Sequence, residues 1–530
     1  VAVSLVVDGR AVHATDEGAS LLDVLRDELG LRSAKDGCSP QGQCGCCTVL
    51  VDGAPRVACV TPVRRVAGRT VTTVAGLPEA ARWAEAFAAH GASQCGFCTP
   101  GIIVRLAARA RTGPLDASAV EDALVAHLCR CTGWRTVVDA AVAASGPAPI
   151  ERRTSAGASD AERRAALEGR SAQRVGPAVA LGEGGFADDG APAGALVAVP
   201  GADGRWAVAP TVRAARAGAG KVQGRRSTVG LTWPIEVPPG EWARTLQTTW
   251  VEPAYLEPDA SWCAPGGEPA SPLANGGAFG GKSGSPVPAA ARALADAHGR
   301  PVRALWSRED VVRHGPKRPP LAAGVRADGT GIVRVARTPG IAAAIRSVAP
   351  GLEVEELDIP GPPTSAAIRA AGWAEAAVLV GGGDGVVVAP WGAWAAARVS
   401  TDGVHVRVGC GEVLDEVALR SYCVGAAHQA LGWVTSEGLA VGPDGTVLDL
   451  TIRSFGILRA ADTPAVHVEL AAPGEPPPGP AAPPPPGARR PPRRPPPVEA
   501  VNGSDAVFAA VAGAVWAARG RPPRWPTERA

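Results

Sequence analysis

At 530 residues the chain is too long for a single compact core and should divide into several domains. Its 53 basic and 51 acidic side chains leave a net charge of +2, which gives no electrostatic ground for a nucleic-acid or membrane-surface partner. No apolar run reaches bilayer length, since even AAVLVGGGDGVVV is broken by glycines and an acid, so no membrane partner is expected.

The opening VAVSLVVDGR has no basic leader region and reads as a strand ending in an Asp-Gly turn, which points to a cytoplasmic location. Residues 1–76 alternate strand-like segments such as VSLVV and CTVLV with one amphipathic helix, SLLDVLRDELG. Ser20 and Asp23 form its capping pair, and Gly30 suits its C-terminal cap. Residues 77–146 turn helical, with EAARWAEAFAAHG, GIIVRLAARAR, SAVEDALVAHL (Ser118 and Glu121 as a capping pair) and TVVDAAVAA suggesting a small four-helix unit. Residues 147–175 are polar and read as a linker, and residues 176–472 mix short strands, Gly-Asp turns and helices such as PAAARALADAHG in an α+β region. LGEGGFADDGAP reads as a turn, and LVGGGDGVVV as a hairpin tip with valines on both sides. The tract at 473–498 is too rich in proline for helix or sheet ladders, and residues 499–530 hold a last helix, DAVFAAVAGAVWAARG. The fold class is therefore multidomain α+β.

Nine of the twelve cysteines precede residue 132. In a reducing compartment, cysteines at such short spacings are metal ligands or redox groups more often than disulfides. Cys38, Cys44, Cys47 and Cys59 resemble the plant-type C-x4-C-x2-C…C arrangement around a 2Fe-2S cluster, with the first gap one residue longer. Gly37, Gly42 and Gly45 let the loop curl, and Cys46 is left as a bystander because using it would break the C-x2-C spacing. Cys95 and Cys98 in QCGFCTPG, with Cys129 and Cys131 in LCRCTGW, form a second four-thiol set, for which zinc is the rival occupant. Cys263, Cys410 and Cys423 read as ordinary buried residues. The eight histidines, His428 among them, show no ligand spacing and read as structural.

KDGC…GQCGCCTVLVDG followed by QCGFCTPG and LCRCTGW resembles the iron–sulfur part of the xanthine dehydrogenase/aldehyde oxidase family of molybdenum hydroxylases. The resemblance implies a ferredoxin-like β-grasp domain with one 2Fe-2S cluster on Cys38, Cys44, Cys47 and Cys59. It implies a four-helix domain with a second on Cys95, Cys98, Cys129 and Cys131. Farther on, NGGAFGGKSG is by its letters only a glycine-rich loop, with Lys282 as a candidate charge partner. It resembles the family's molybdenum-facing loop, which implies roles for Gly276, Gly277, Phe279 and Gly280 at a molybdenum–molybdopterin cofactor. EPAYLEPDAS, GRPVRALWSRED and GAAHQALGW are similar to flanking family segments, the last implying that Gln429 lies near the pterin. The molybdopterin-binding-like half is shorter than is usual in the family, and its G-Q-G-x-x-T type segment is missing. The family's base is a glutamate in G-x-G-E; here Glu475 fits the letters and Asp505 the position, and neither is assigned. The implied reaction is oxidative hydroxylation of an aldehyde or N-heterocycle. Without a flavin-binding segment, the expected partner is a separate FAD-binding subunit or another electron acceptor. The alternative is a 2Fe-2S electron-transfer protein whose pterin half is degenerate and non-catalytic.

Overall fold

The VSLVV and CTVLV segments are strands of one five-stranded sheet, and Asp-Gly turns close both of its hairpins. A computed structural model describes residues 2–151, 158–167, 176–221, 229–273, 277–383, 385–479 and 494–529. β1 (Ala2–Val7) pairs antiparallel with β2 (Arg10–Thr15), and β3 (Thr48–Val51) with β4 (Ala54–Val57). Asp8 and Gly9, like Asp52 and Gly53, have positive φ, the pair of left-handed conformations that a tight two-residue hairpin demands. β5 (Thr70–Thr72) lies between β1 and β3, parallel to one and antiparallel to the other. The Ser20–Asp23 capping box forms as expected. After the turn Leu21–Asp23, however, the chain continues as a π-helix over Val24–Glu28 before Gly30 takes up φ +67°.

Four helices follow, Ala80–Ala89, Thr99–Ala110, Ala117–Ala123 and Arg135–Ser145. The third is capped by Asp116, which accepts from the backbone N–H of Ala119, and not by Ser118, which lies inside the helix. Asp116 stands at the last extended position before the helix, where a carboxylate reaches the free N–H groups, and Glu121 instead pairs with Arg135 at 2.8 Å. Within the stretch read as a linker, Ala158–Leu167 is helical. It docks by burying Ala161 and Ala165 on one face, with Arg164 on Asp415 at 3.0 Å.

Among the described residues the second half holds three sheets, built from β6 (Leu196–Pro200), β7 (Trp206–Ala209), β8 (Arg244–Thr248), β9 (Asp259–Cys263), β10 (Val302–Trp306), β11 (Leu321–Val325), β12 (Gly331–Ala336), β13 (Leu352–Leu357), β14 (Val386–Val388), β15 (Trp394–Ser400), β16 (Gly403–Gly409), β17 (Val466–Leu470) and β18 (Arg524–Trp525) in the orders β7-β6-β10-β9, β13-β12-β11-β8-β18 and β14-β15-β16-β17. LVGGGDGVVV is no hairpin tip. Its first valine and leucine close the helix Trp373–Gly381, Gly382 caps that helix in the left-handed region, and only then does the strand Val386–Val388 begin. A short apolar run has the same letters in either state, so alternation could not arbitrate. The Asp188-Asp189 pair of the turn LGEGGFADDGAP ties the two halves together, Asp188 meeting Arg26 at 2.6 Å and Arg303 at 3.2 Å. Glu416–Thr435 and Ser504–Ala518 form the central helix pair of the second half, where Trp433 stacks on Phe508 at 5.0 Å and meets Trp525 edge-on at 4.6 Å. Arg318 lies 4.0 Å from the Trp433 ring and grips Glu375 with both arms, at 2.8 and 2.9 Å. Among the described residues, no helix is long and apolar enough to cross a membrane.

Arg318→Ala strands a buried Glu375 and removes the cation from Trp433. It should cost about 3–5 kcal/mol, read as an earlier denaturant midpoint for tryptophan fluorescence, with Arg318→Met/Glu375→Leu recovering most of the loss.

Candidate metal centres and the adjoining loop

The first thiol set hangs on a loop between the π-helix and β3. Gly42 and Gly45 have φ of +68° and +75°, and a side chain on Gly37 would begin 3.0 Å from the Cys44 sulfur. These turns aim the cysteines inward, and Cys59 arrives from the short helical turn Ala58–Val60 that follows β4. The buried sulfurs form a connected group: Cys38 with Cys44 and Cys59, and Cys59 with Cys47. As the shared acceptor from Cys44 and Cys59, Cys38 has a thiol held well below its usual range, while Cys44 and Cys59 are pushed up as donors. Backbone N–H groups of Gln43 and Cys59 point at the sulfurs of Cys38 and Cys47, each at 3.4 Å. Cys46 is also buried and hydrogen-bonds Cys44; its electrostatic neighbours include Cys129 of the second set.

Cys95 and Cys98 precede the helix Thr99–Ala110, and Cys129 and Cys131 lie in the turn before Arg135–Ser145, so two helix starts converge. The sulfurs of Cys131 and Cys95 are 3.5 Å apart, and Cys98 hydrogen-bonds Cys129. Hydrogen bonds from Cys98, and from Thr132 at 3.1 Å, bring the Cys129 thiol down to about 6 despite its burial. The two sets are fastened to each other. The Leu128 N–H donates to the Cys44 carbonyl at 3.0 Å, and a Cβ on Gly101 would fall 2.3 Å from the Gly45 carbonyl oxygen. The His127 ring covers Gly45 and joins the Thr48 hydroxyl through Nε2 at 3.2 Å; burial pulls its pKa down to about 3, so it stands there neutral.

Of the glycine-rich loop, Asn275 and Gly276 lie outside the described residues. Ala278 and Phe279 both hold left-handed φ, +48° and +53°, strain that the surroundings must sustain. Gly280, at φ +87°, packs so tightly that a Cβ would sit 1.8 Å from the Ala367 carbonyl oxygen. Gly277 and Phe279 share a cavity with Gln94, Arg130, Cys131 and Glu257, which sets the loop directly against the second thiol set. Gln429 is buried and donates to the Arg130 carbonyl at 3.0 Å. Lys282 turns inward to the carbonyls of Pro258 and Pro272 and toward Glu257 at 3.5 Å. Asp505 reaches this region, pairing at 3.1 Å with Arg369, whose guanidinium lies 4.9 Å from the Phe279 ring. Glu475 is on the β14–β17 side, where it pairs with Arg407 at 2.7 Å and accepts from the Ala472 N–H. Asp505 does not itself cap the last helix: Oδ1 of the Asn502 side chain accepts from the N–H groups of Ser504 and Asp505. The His428 ring donates from Nε2 to the Leu458 carbonyl at 3.1 Å.

Sequence reasoning passed over Arg130, Glu437, Gln94 and His127. Arg130 stands between Cys129 and Cys131, and its guanidinium meets both Glu437 oxygens, at 2.5 and 2.6 Å. Burial pushes the Glu437 carboxyl up and Arg130 opposes that shift. The signal was an arginine inside a cysteine turn; its partner lies 307 residues away and has no local mark.

A family model described as a 2Fe-2S binding domain matches residues 73–142. The chain is 43% identical over 142 residues to an aldehyde oxidoreductase of Megalodesulfovibrio gigas, an alignment covering 24% of this chain and 15% of that protein's length. It is 38% identical over 134 residues to a xanthine dehydrogenase iron-sulfur-binding subunit of Escherichia coli O157:H7, covering 24% of this chain and 82% of the subunit. In fold it is similar to a solved aldehyde oxidoreductase from Desulfovibrio gigas, with a TM-score of 0.67 and 16% identity over 99% of both chains.

The helix Glu416–Thr435 crosses the second thiol set with Gly425 so close that an added Cβ would lie 1.7 Å from the Cys131 carbonyl oxygen. Gly425→Ala should therefore lower the thermal midpoint and distort the visible spectrum of the metal-loaded protein, whereas Gly381→Ala, with nothing within 4 Å, leaves both unchanged.

Proposed function

This chain belongs to the xanthine dehydrogenase/aldehyde oxidase family, and we propose that it is an iron–sulfur oxidoreductase of the molybdenum hydroxylase type, acting on an aldehyde or N-heterocycle. Cys38, Cys44, Cys47 and Cys59 hold one 2Fe-2S cluster, and Cys95, Cys98, Cys129 and Cys131 the other. The observation that carries this reading is the convergence of four sulfurs in each set, all buried but the half-buried Cys131, drawn in both cases from separate stretches of chain. Clusters bound there supply one-electron transfer. The chain's own part is to exclude water from the thiols, to direct the Gln43 and Cys59 N–H groups at sulfur, and to hold the sets together through Leu128 and Cys44.

The cavity between Cys131 and Phe279 suits a pterin by its donor set, an amide at Gln94, a guanidinium at Arg130 and a carboxylate at Glu257, with the backbone of Gly277, Ala278 and Phe279 as its far wall. Gly277 and Phe279 would line that site and Gly280 and Gln429 would brace it, while Gly276 lies outside the described residues. A molybdenum–molybdopterin there supplies two-electron oxidation of a substrate carbon with water as the oxygen source. Asp505 holds Arg369 against Phe279 and Glu475 holds Arg407, so each candidate base is engaged with a cation. A separate FAD-binding subunit or other carrier receives the electrons.

One observation favours the second reading, an electron-transfer protein with a non-catalytic pterin half. Glu252, Glu257 and Glu437, which line the cavities beside Phe279, and Asp505, which pairs with the Arg369 packed on its ring, all sit in ion pairs. Elemental and pterin analysis of the purified chain separates the two: about four irons accompany either reading, while stoichiometric molybdenum with pterin belongs to the first alone. The same preparation should contain no flavin, and flavin retained through gel filtration would contradict the separate acceptor. Cys47→Ser should lose about half the iron and one cluster's paramagnetic signal, and Cys46→Ser should keep both. The reverse pattern would move the ligand assignment to Cys46.

A further inference from the structure

β16 (Gly403–Gly409) and β17 (Val466–Leu470) run parallel at one side of their sheet, in a register that sets His405 beside His467. Cross-strand partners face the same side, and the two imidazoles stack with centroids 4.6 Å apart and planes at 27°. The turn from β15 (Trp394–Ser400) into β16 brings Asp402 back over that face. Its Oδ1 lies 3.0 Å from His405 Nε2, and its carbonyl oxygen 3.4 Å from His467 Nε2. One ligand atom from each of the three side chains falls within 4.8 Å of the others, the one such grouping found among the described residues.

We propose that Asp402, His405 and His467 form a binding site for a late first-row divalent cation, with Zn2+ as its reference ligand. Two imidazole nitrogens and one carboxylate oxygen make the donor set that zinc takes with water as fourth ligand. The site differs in kind from the thiol sets, offering nitrogen and oxygen where those offer sulfur. Ser400 donates to Asp402 Oδ1 at 2.6 Å, which orients the carboxylate as an outer-shell partner does. That hydrogen bond, with the one from His405, holds the Asp402 carboxyl well below the usual carboxylate range, so it stands ready as an anion.

The neighbouring charges tolerate a cation. Arg407, two residues along β16, is occupied by Glu469 at 3.0 Å and Glu475 at 2.7 Å. Arg398, opposite His405 on β15, is exposed and can extend into solvent. Asp402 and His467 are exposed as well, so an ion can enter without the sheet opening. Bound there, it would cross-link the turn, β16 and β17, and so pin the strand that leads into the proline-rich tract.

The test uses the full chain with its iron–sulfur clusters intact, equilibrated against Zn2+ by dialysis and analysed for both metals. The wild type should retain one zinc per chain more than His405→Gln, His467→Gln or Asp402→Asn, with iron and cluster absorbance equal in all four. Zn2+ should also raise the thermal midpoint of the wild type and not of the variants. Equal zinc uptake by wild type and variants overturns the proposal, as does zinc gained only at the expense of iron. Cu2+ as a second probe should show nitrogen hyperfine lines that vanish in the double histidine variant; lines that persist would place the metal elsewhere.

Discussion

A charged guanidinium buried between two cysteines has to be answered by a carboxylate, and Arg130 imposes that requirement on the whole molecule. Its side chain is 5% exposed and its partner Glu437 2%, so either group left alone would cost several kcal/mol. Meeting the demand brings the end of the helix Glu416–Thr435 onto the Cys129–Cys131 turn. Gln429 then takes the Arg130 carbonyl, Gln94 bridges the Cys131 carbonyl to Ser421, and Gly425 and Gly133 permit backbone contact that no larger residue would allow. The second half of the chain is positioned by the residue that separates two metal-ligand candidates.

From that contact the functional parts fall into a sequence. The Phe279 loop shares a cavity with Cys131, the second thiol set touches the first through Leu128 and Cys44, and the first set lies under the small N-terminal sheet. Under the function proposed above, this order runs from a substrate-oxidising centre outward through two one-electron carriers. The strained backbone at Ala278 and Phe279 sits at the head of the series, where stored strain is most often found in enzymes. The ion pairs that occupy Glu252, Glu437 and Asp505 also sit there, so the features for and against catalysis meet within one loop.

Much of the front part was legible because its signals are local. Cysteines at C-x2-C spacing, glycines that permit inward-turning loops, Asp-Gly hairpins and the Ser20–Asp23 box all act over a few residues. Local ambiguity defeated other readings. Asp116 and Ser118 are both good caps two residues apart, and only the register of the helix start chose between them. The apolar stretch through Trp373–Gly381 carries the same letters as a buried strand, and without alternation the two could not be told apart. Arg130 was passed over, and nothing in the letters near it marks Glu437 as its partner.

The amino-acid sequence alone grouped Cys38, Cys44 and Cys47, Cys95 with Cys98, and Cys129 with Cys131, because each group lies within a short loop whose spacing is itself the constraint. It also determined where helices and hairpins punctuate the first 146 residues. Tertiary structure alone decided that Gln429 and Glu437 meet Arg130, that Asp505 and not Glu475 approaches Phe279, and that His405 and His467 stand side by side. Those pairings join residues many tens of positions apart through helix crossing and parallel strand register, and such long-range pairings leave no periodicity in the letters of either partner.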